Sequence, residues 1–323
     1  MAHMGVGAQL AIGKESAWGT PVADTALINF ESEGLKPELN KGEEPSLLAS
    51  KAPAAFDLMG HKVSGPFSAT LKPELAGFLI KAALGGTDTV VQNQGGVTGQ
   101  HQHTIIAQTA SAALPSYTLY ANRKQATKRY SGCKINTLRI SAKSGDYVRV
   151  SGEWKGKDES SGSITSTTPP SKKAYKLIGG TVTLGGTALD VTSVELEIQN
   201  NLEDGPQTNV SGLYHTEPVH GKRRFVLSIE MPYDTNSESL RNTNFLTETV
   251  LASAVLHLES PEIIASTSKY RMDITLNNVA ILDADAPIAG PGLVTMTIRG
   301  EATAVGATEP ITAVIYDNVN TAY

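Results

Sequence analysis

The chain has 323 residues, of which 40% are hydrophobic, 18% charged and 6% aromatic, with a formal net charge of −5 at pH 7. That length is enough to bury two ordinary cores, and the lone cysteine, Cys133, excludes an internal disulfide framework. No run approaches the roughly 20 apolar residues of a membrane-spanning helix, and the opening residues carry no signal-peptide pattern, so no membrane anchor is expected and folding in a cytoplasm is the simplest reading.

In chain order, QLAIGKESAWGTPV (9–22) comes first, an apolar β-prone run ending in a Trp-Gly-Thr-Pro turn ahead of any obvious domain. It reads as a detached segment, 1–26, for use on a neighbouring copy of the chain. Residues 72–86 then predict a helix, with Pro73 and Glu74 in the first turn, a stripe of Leu75, Phe78, Leu79, Ala82 and Ala83, and a Gly85-Gly86 stop. Period-two alternation predicts strands at 104–108, 116–121, 134–142 and 146–154. It recurs at 193–199, 224–231, 254–260, 271–276, 293–301 and 312–317. A second helix is expected from about Ser237 to Leu251, capped by Ser237 or Ser239, with Leu246 and Val250 facing inward.

The order of elements repeats. An offset of 160 residues places Asn40 on Asn200, Glu43 on Glu203, Glu44 on Asp204, Lys62 on Lys222, Phe67 on Leu227, Ser68 on Ser228 and Glu74 on Asp234. Beyond the helices an offset of 148 places Gly152-Glu153 on Gly300-Glu301, the missing 12 residues being assigned to a longer loop at Thr87–His103 in the first copy. The expected organisation is an arm at 1–26, a domain at 27–160, a Ser/Thr/Pro-rich linker at 161–173 and a second domain at 174–323. The charge is unevenly shared. Residues 1–176 carry 20 basic and 14 acidic side chains, and 177–323 carry 7 and 18, a split that suits either attraction between halves of neighbouring subunits or one acidic face.

IGKESAWGTPV, ALINFESEGL, LKPELAGFLIKAALGG and LPSYTLY, in that order, resemble a bacteriophage tail tube protein, over nearly the whole chain. The resemblance implies a mainly β fold of two tandem β-sandwich or small-barrel domains, each with one flanking helix. Their sheets would join between subunits into a ring. It implies a structural virion protein whose stacked rings form the hollow tail tube, the conduit for genome delivery. Family tubes are usually six-fold, so three two-domain chains would give a pseudo-six-fold homotrimeric ring. Its partners would be copies of itself, the tape measure protein and viral DNA in the lumen, and tail tip and terminator proteins at the ends. It would be assembled in the host cytoplasm and belong to the virion tail, here a long non-contractile one. The alternatives are the inner tube of a contractile tail or injection machine, or a non-viral β-sandwich adhesin or carbohydrate-binding module.

On that reading the first segment docks Ile12 and Trp18 on a neighbouring domain. Two long loops, 40–62 and 200–222, make ring contacts through Leu47, Leu48, Phe56, Leu58 and Met59 in the first and Val210, Leu213 and Tyr214 in the second. The polar face of the inner sheets is expected to be acidic on balance, so that DNA slides past it.

No catalytic, cofactor or metal site is expected. His101 and His103 have no accompanying ligand set, and Asp283 and Asp285 lack EF-hand spacing. The Gly-rich pieces lack a phosphate-loop context, and no nucleophile elbow is present, so an enzyme is not expected. The basic clusters Arg123-Lys124, Lys128-Arg129 and Lys222-Arg223-Arg224 lack interleaved aromatics and read as partners for acidic patches on adjacent subunits.

Overall fold

A computed structural model describes residues 5–43, 55–107, 112–288, 290–306 and 308–323. The first half runs β1 (Gln9–Lys14), β2 (Ala26–Ile28), β3 (Phe30–Glu33), β4 (Lys36–Glu43), β5 (Phe56–Thr70), α1 (Pro73–Leu84), β6 (Gly85–Val91), β7 (His101–Ala107), β8 (Tyr117–Asn122), β9 (Thr127–Lys143), β10 (Arg149–Gly156) and β11 (Asp158–Ser161). The second runs β12 (Lys176–Leu184), β13 (Thr187–Leu189), β14 (Ser193–Gln199), β15 (Leu202–Glu203), β16 (Val219–His220), β17 (Arg224–Pro232) and α2 (Thr235–Leu240). It ends with β18 (Leu251–Ala265), β19 (Ser268–Asp285), β20 (Thr295–Ala302) and β21 (Ile311–Asp317).

The fold is mainly β and of the sandwich class, with no closed barrel. Both halves are wired alike. In the first, β1 pairs with β2 and β8, β8 with β9, β9 with β10 and β11, and β5 with β10 and β4. In the second, β12 pairs with β13 and β18, β18 with β19, β19 with β20 and β21, and β17 with β20 and β14. The two sequence offsets meet in one register. Phe67 lies opposite Gly152, and Leu227 lies opposite Gly300. One strand back the offset is different, because Phe67 faces Glu33 while Leu227 faces Leu196. That is 163 residues, so the Asn40–Asn200 match is not a structural equivalence.

The halves are joined edge to edge. Seven residues of β14 pair antiparallel with β9, Ser193 opposite Lys143 through Gln199 opposite Thr137. A continuous antiparallel sheet of β4, β5, β10, β9, β14, β17, β20 and β19 results. Alternation gives it one apolar face, with Leu138, Ile140, Val150, Leu196 and Ile198 buried in a core that is continuous through both halves. A second link comes from β21, which pairs with β7. The stretch expected as a loop at Thr87–His103 is therefore mostly the β6–β7 hairpin, and it docks onto the second half.

The first helix forms as its sequence predicts. Pro73 sits in the first turn, and Gly85 closes the helix in the left-handed region at φ 79°, its amide bonding Lys81 O. Leu75, Leu79, Ile80, Ala82 and Ala83 are buried beneath it. The second helix is shorter than expected. Asp234, not Ser237 or Ser239, is the cap, accepting from Ser237 N at 2.9 Å while Ser237 Oγ accepts from Asp234 N. After Leu240 the chain widens into a π turn at Arg241–Phe245. Thr243 and Thr247 hydroxyls bond back to Ser239 O and Thr243 O, which competes with helix propagation. Leu246 and Val250 consequently end 57% and 49% exposed instead of facing inward.

The opening segment is corrected too. β1 is an ordinary internal strand, pairing with β2 on one edge and β8 on the other. Ile12 is fully buried in the core of its own chain. Trp18 also folds back: its indole N–H donates to Gly132 O at 3.1 Å, and Lys157 lies 5.0 Å above its ring. The fold-back is organised by buried Glu15, which accepts from Thr118 Oγ1, Gly132 N and Gly19 N at 2.8–2.9 Å. The 161–173 stretch is likewise laid against the first half, with Thr165 and Ser166 amides on Asp24 and Ser171 and Lys172 amides on Glu74.

Candidate assembly surfaces

The two loops singled out in sequence come together. Residues 200–222 of the second half lie across the β4–β5 hairpin of the first. His61 N donates to Leu213 O at 2.7 Å, Gln207 Nε2 to Met59 O at 2.6 Å, and the His61 and Tyr214 rings sit 5.4 Å apart. Asp204 bridges Lys62 at 2.8 Å and Lys155 at 3.5 Å. Burial works to raise the Asp204 carboxyl, but these two ammonium groups overcome it and hold its pKa below the ordinary range. The hydrogen bond to Asp204 in turn raises Lys62. On this braced rim stand Phe56 at 63% exposure, Met59 at 49%, Leu58 at 39%, Leu213 at 41% and Val210 at 90%. Tyr214 is half-buried against His61. Leu47 and Leu48 lie outside the described residues.

The polar face of the joined sheet forms rows across the strands. One row reads Thr70, Arg149, Ser141, Glu195, Ser228, Arg299 and Asp283 in successive register partners. Its charged members are Arg149 in the first half and Glu195, Arg299 and Asp283 in the second, and opposite signs meet at the junction. Arg139 reaches Glu195 at 3.3 Å and Glu197 at 3.2 Å, and Arg224 clamps Glu301. The row balances two arginines against two carboxylates, where a face acidic on balance was expected.

Sequence reasoning missed two buried clusters between the halves. Asn200, fully buried, donates to Ala83 O at 3.1 Å and Ile135 O at 2.9 Å, and accepts from Arg223 Nε at 2.8 Å. Arg223 Nη2 also reaches Ala83 O at 2.8 Å, so Asn200 and Arg223 cap the carbonyl end of α1. Burial lowers the Arg223 guanidinium to about 10.

In the other cluster His103 is fully buried between Asp88, 3.0 Å from Nδ1, and Asp317, 3.3 Å from Nε2, with Val319 O at 2.9 Å. Both ring nitrogens face acceptors, which requires the protonated ring. Burial alone would depress its pKa, but hydrogen bonds to Asp317 and Asp88 prevail and push it up to about 10. Tyr323 closes the cluster, its hydroxyl on Asp317 at 2.6 Å and its amide on Asp88 at 2.8 Å. The alternation of His101 and His103 hinted at one buried face. The carboxylate partners of His103 come from β6 and β21, strands far apart in the chain.

The surfaces thus consist of a braced apolar rim, sheet edges at β4 and at 280–285 of β19 with no further partner among the described strands, and a continuous polar sheet face, with no group of three or more potential metal ligands among the described residues. No curated protein matches the chain. A family model described as a phage tail tube protein matches residues 5–308, nearly the full length. With the mainly β fold behind it, that match means that the chain belongs to the phage tail tube protein family.

Proposed function

We propose that this chain polymerises into stacked rings that form the hollow tube of a long, non-contractile phage tail, the conduit through which the genome leaves the virion. The observation that carries this reading is the eight-stranded sheet of β4 through β19, which runs unbroken across both halves and leaves two borders without a partner among the described strands, the outer edge of β3 and β4 and the 280–285 stretch of β19. Open borders are an aggregation hazard in a finished monomer, and closing a ring removes them.

The two halves act as tandem tail tube domains, 27–160 with β1 as its own leading strand and 174–323, joined through 161–173. Each contributes four strands to the inner wall, so three chains give a pseudo-six-fold ring. The polar face turns toward the bore, where its mixed and mutually paired charges give DNA no continuous basic track to bind. The tape measure protein occupies that bore before the genome does. The exposed rim of Phe56, Leu58, Met59, Val210 and Leu213 meets the next ring, and tail tip and terminator proteins cover the ends.

Concentrating the purified 34.1 kDa chain and imaging it by negative stain tests the reading. Hollow rods with six-sector cross-sections are the expected result. A species that stays monomeric at every concentration, with no rods, refutes it.

A further inference from the structure

The junction between the halves has two sides, and the outer flanks of the chain carry the same two sides without partners. On the receiving side, β9 accepts β14, and just beyond β14 Asn200 fills the groove between the end of α1 and β9. The second half repeats this receiving side. β19 stands where β9 does, and its stretch 280–285 is hydrogen-bonded to β20 alone among the described strands. The groove beside it is open: a cleft of about 470 Å³ is lined by Phe245, Leu246, Thr249, Ala280, Ile281 and Leu282. Leu246 and Leu282 are 57% and 47% exposed there. The first half repeats the inserting side. Among the described strands β3 and β4 pair only with β5, as β14 would pair only with β17 were β9 removed.

We propose that residues 280–285 of one chain pair antiparallel with residues 32–36 of a second copy, and that Arg123 and Glu33 hold this second edge closed in the free subunit. The inference rests on the ring reading above and specifies its seam.

The register follows from the internal repeat. Glu33 and Leu196 occupy equivalent places opposite Phe67 and Leu227, which makes 195–199 the counterpart of 32–36. Across β10 and β20, Ser141 faces Arg149 as Asp285 faces Thr297, and Thr137 faces Glu153 as Ala280 faces Glu301. The irregularity between Ile281 and Asp283 leaves Leu282 as the extra residue of a bulge. Transferring the β9–β14 register sets Ser32 opposite Asp285, Gly34 opposite Asp283 and Lys36 opposite Ala280. Lys36 then lies diagonal to Asp283 on the polar face, replacing the fan that Arg139 makes internally.

The closed edge is visible in the free chain. Gly34 donates inward to Pro66 O at 2.9 Å, so the flanking Glu33 and Leu35 backbone groups point outward, the direction a new strand needs. Leu35 N is occupied by Glu33 Oε1 at 2.7 Å. Leu35 O accepts from Arg123 Nη2 at 2.6 Å and from Tyr130 Oη at 3.1 Å. Arg123 locks Glu33 through Nε at 3.2 Å and Nη2 at 2.7 Å. Side chains that satisfy an edge in this way keep it from pairing out of turn, and an incoming β19 exchanges them for backbone partners.

Cysteine pairing tests the seam. Ser32→Cys and Asp285→Cys are introduced together, Cys133 being buried, and the protein is oxidised during assembly and run on non-reducing gels. Only side chains directly opposite each other meet disulfide geometry. Covalent multimers are expected from this pair and not from Ser32→Cys with Asp190→Cys. If rods form but the two pairs cross-link alike, the seam is wrong while the tube stands. If wild-type protein forms no rods, the tube reading fails and the seam with it. Arg123→Gln tests the closure: the concentration at which light scattering reports assembly should fall by about tenfold. An unchanged or higher threshold overturns that role.

Discussion

Replacing Asn200 with alanine should destabilise the whole chain, because this one amide serves both halves. Its Nδ2 satisfies Ala83 O at the end of α1 and Ile135 O on β9, while Oδ1 receives Arg223 Nε, all in a site with no solvent exposure at Asn200. Ala83 O keeps a partner after the change, since Arg223 Nη2 also reaches it. Ile135 O loses its side-chain donor, and the Arg223 Nε loses its acceptor. A neutral hydrogen bond is worth about 1 kcal/mol, an orphaned buried polar group costs about 1–3 and a bond to a charged group about 1.5–3, so the loss should be about 3–5 kcal/mol. For a chain of this size that lowers the melting temperature by roughly 4–7 °C. Urea and thermal melts read it directly, and because the halves share a sheet the wild-type melt should be a single transition. A loss below about 1 kcal/mol, or two separated wild-type transitions, would refute the view that this amide ties the halves into one cooperative unit.

The His103 imidazole, raised from the ordinary 6.5 to about 10 in the fold, binds its proton more tightly folded than unfolded. Its contribution is complete below pH 6.5 and is lost as pH rises through about 10, so urea midpoints should fall across that window. His103→Gln should remove that slope. At Gly77 an added Cβ would lie 2.0 Å from the Tyr323 ring. Gly77→Ala should cost about 1–3 kcal/mol or more by overpacking, and Tyr323→Leu in the same chain should recover most of it in a double-mutant cycle. Val210→Asp, at a side chain 90% exposed, should leave stability within about 0.5 kcal/mol yet shorten or abolish rods in negative stain. A monomer destabilised by this change would show that the loop serves its own core.

The strands were legible because each buries one face, so the pattern survives in pieces such as SVELEIQ and RFVLSIEM. The repeat was legible for a related reason. Phe67, Leu227, Gly152 and Gly300 sit at the closely packed centre of each sheet, where an added Cβ at Gly152 or Gly300 would strike Phe67 or Val279. One strand back the offset slips to 163, because the stretch from Glu33 to Phe67 is three residues longer than the stretch from Leu196 to Leu227, and the difference falls outside the core strands' shared register. The opening strand was misjudged since Leu10, Ala11 and Ile12 suit an internal sheet as well as a neighbour's, and composition cannot tell the two apart. The second helix failed for local reasons, Thr and Asn side chains bonding the backbone where Leu and Ala would have extended it. His103, Asp88 and Asp317 lie on three strands drawn together by the fold, and nothing in their spacing announces the cluster.

The internal junction and the proposed outer seam are unequal, and the inequality sets the order of assembly. Three supports of the internal junction have no counterpart on the outer flanks. Pro37 stands where the 163 offset would put Asn200, Val63 stands where the 160 offset would put Arg223, and the described residues of the second half contain no hairpin equivalent to β6–β7 for a further strand to pair with as β21 does. Covalent linkage adds to this by making the internal pairing intramolecular. Each chain should therefore fold as a fixed pair of sectors, and rings should grow and break at the outer seam alone. Partial denaturation of assembled rods, followed by size-exclusion and far-UV circular dichroism, checks this: folded single chains of 34.1 kDa should appear before strand signal is lost. Strand signal that falls while the rods remain intact would mean that the internal junction is the weaker one, and that the two halves become ordered only within the tube.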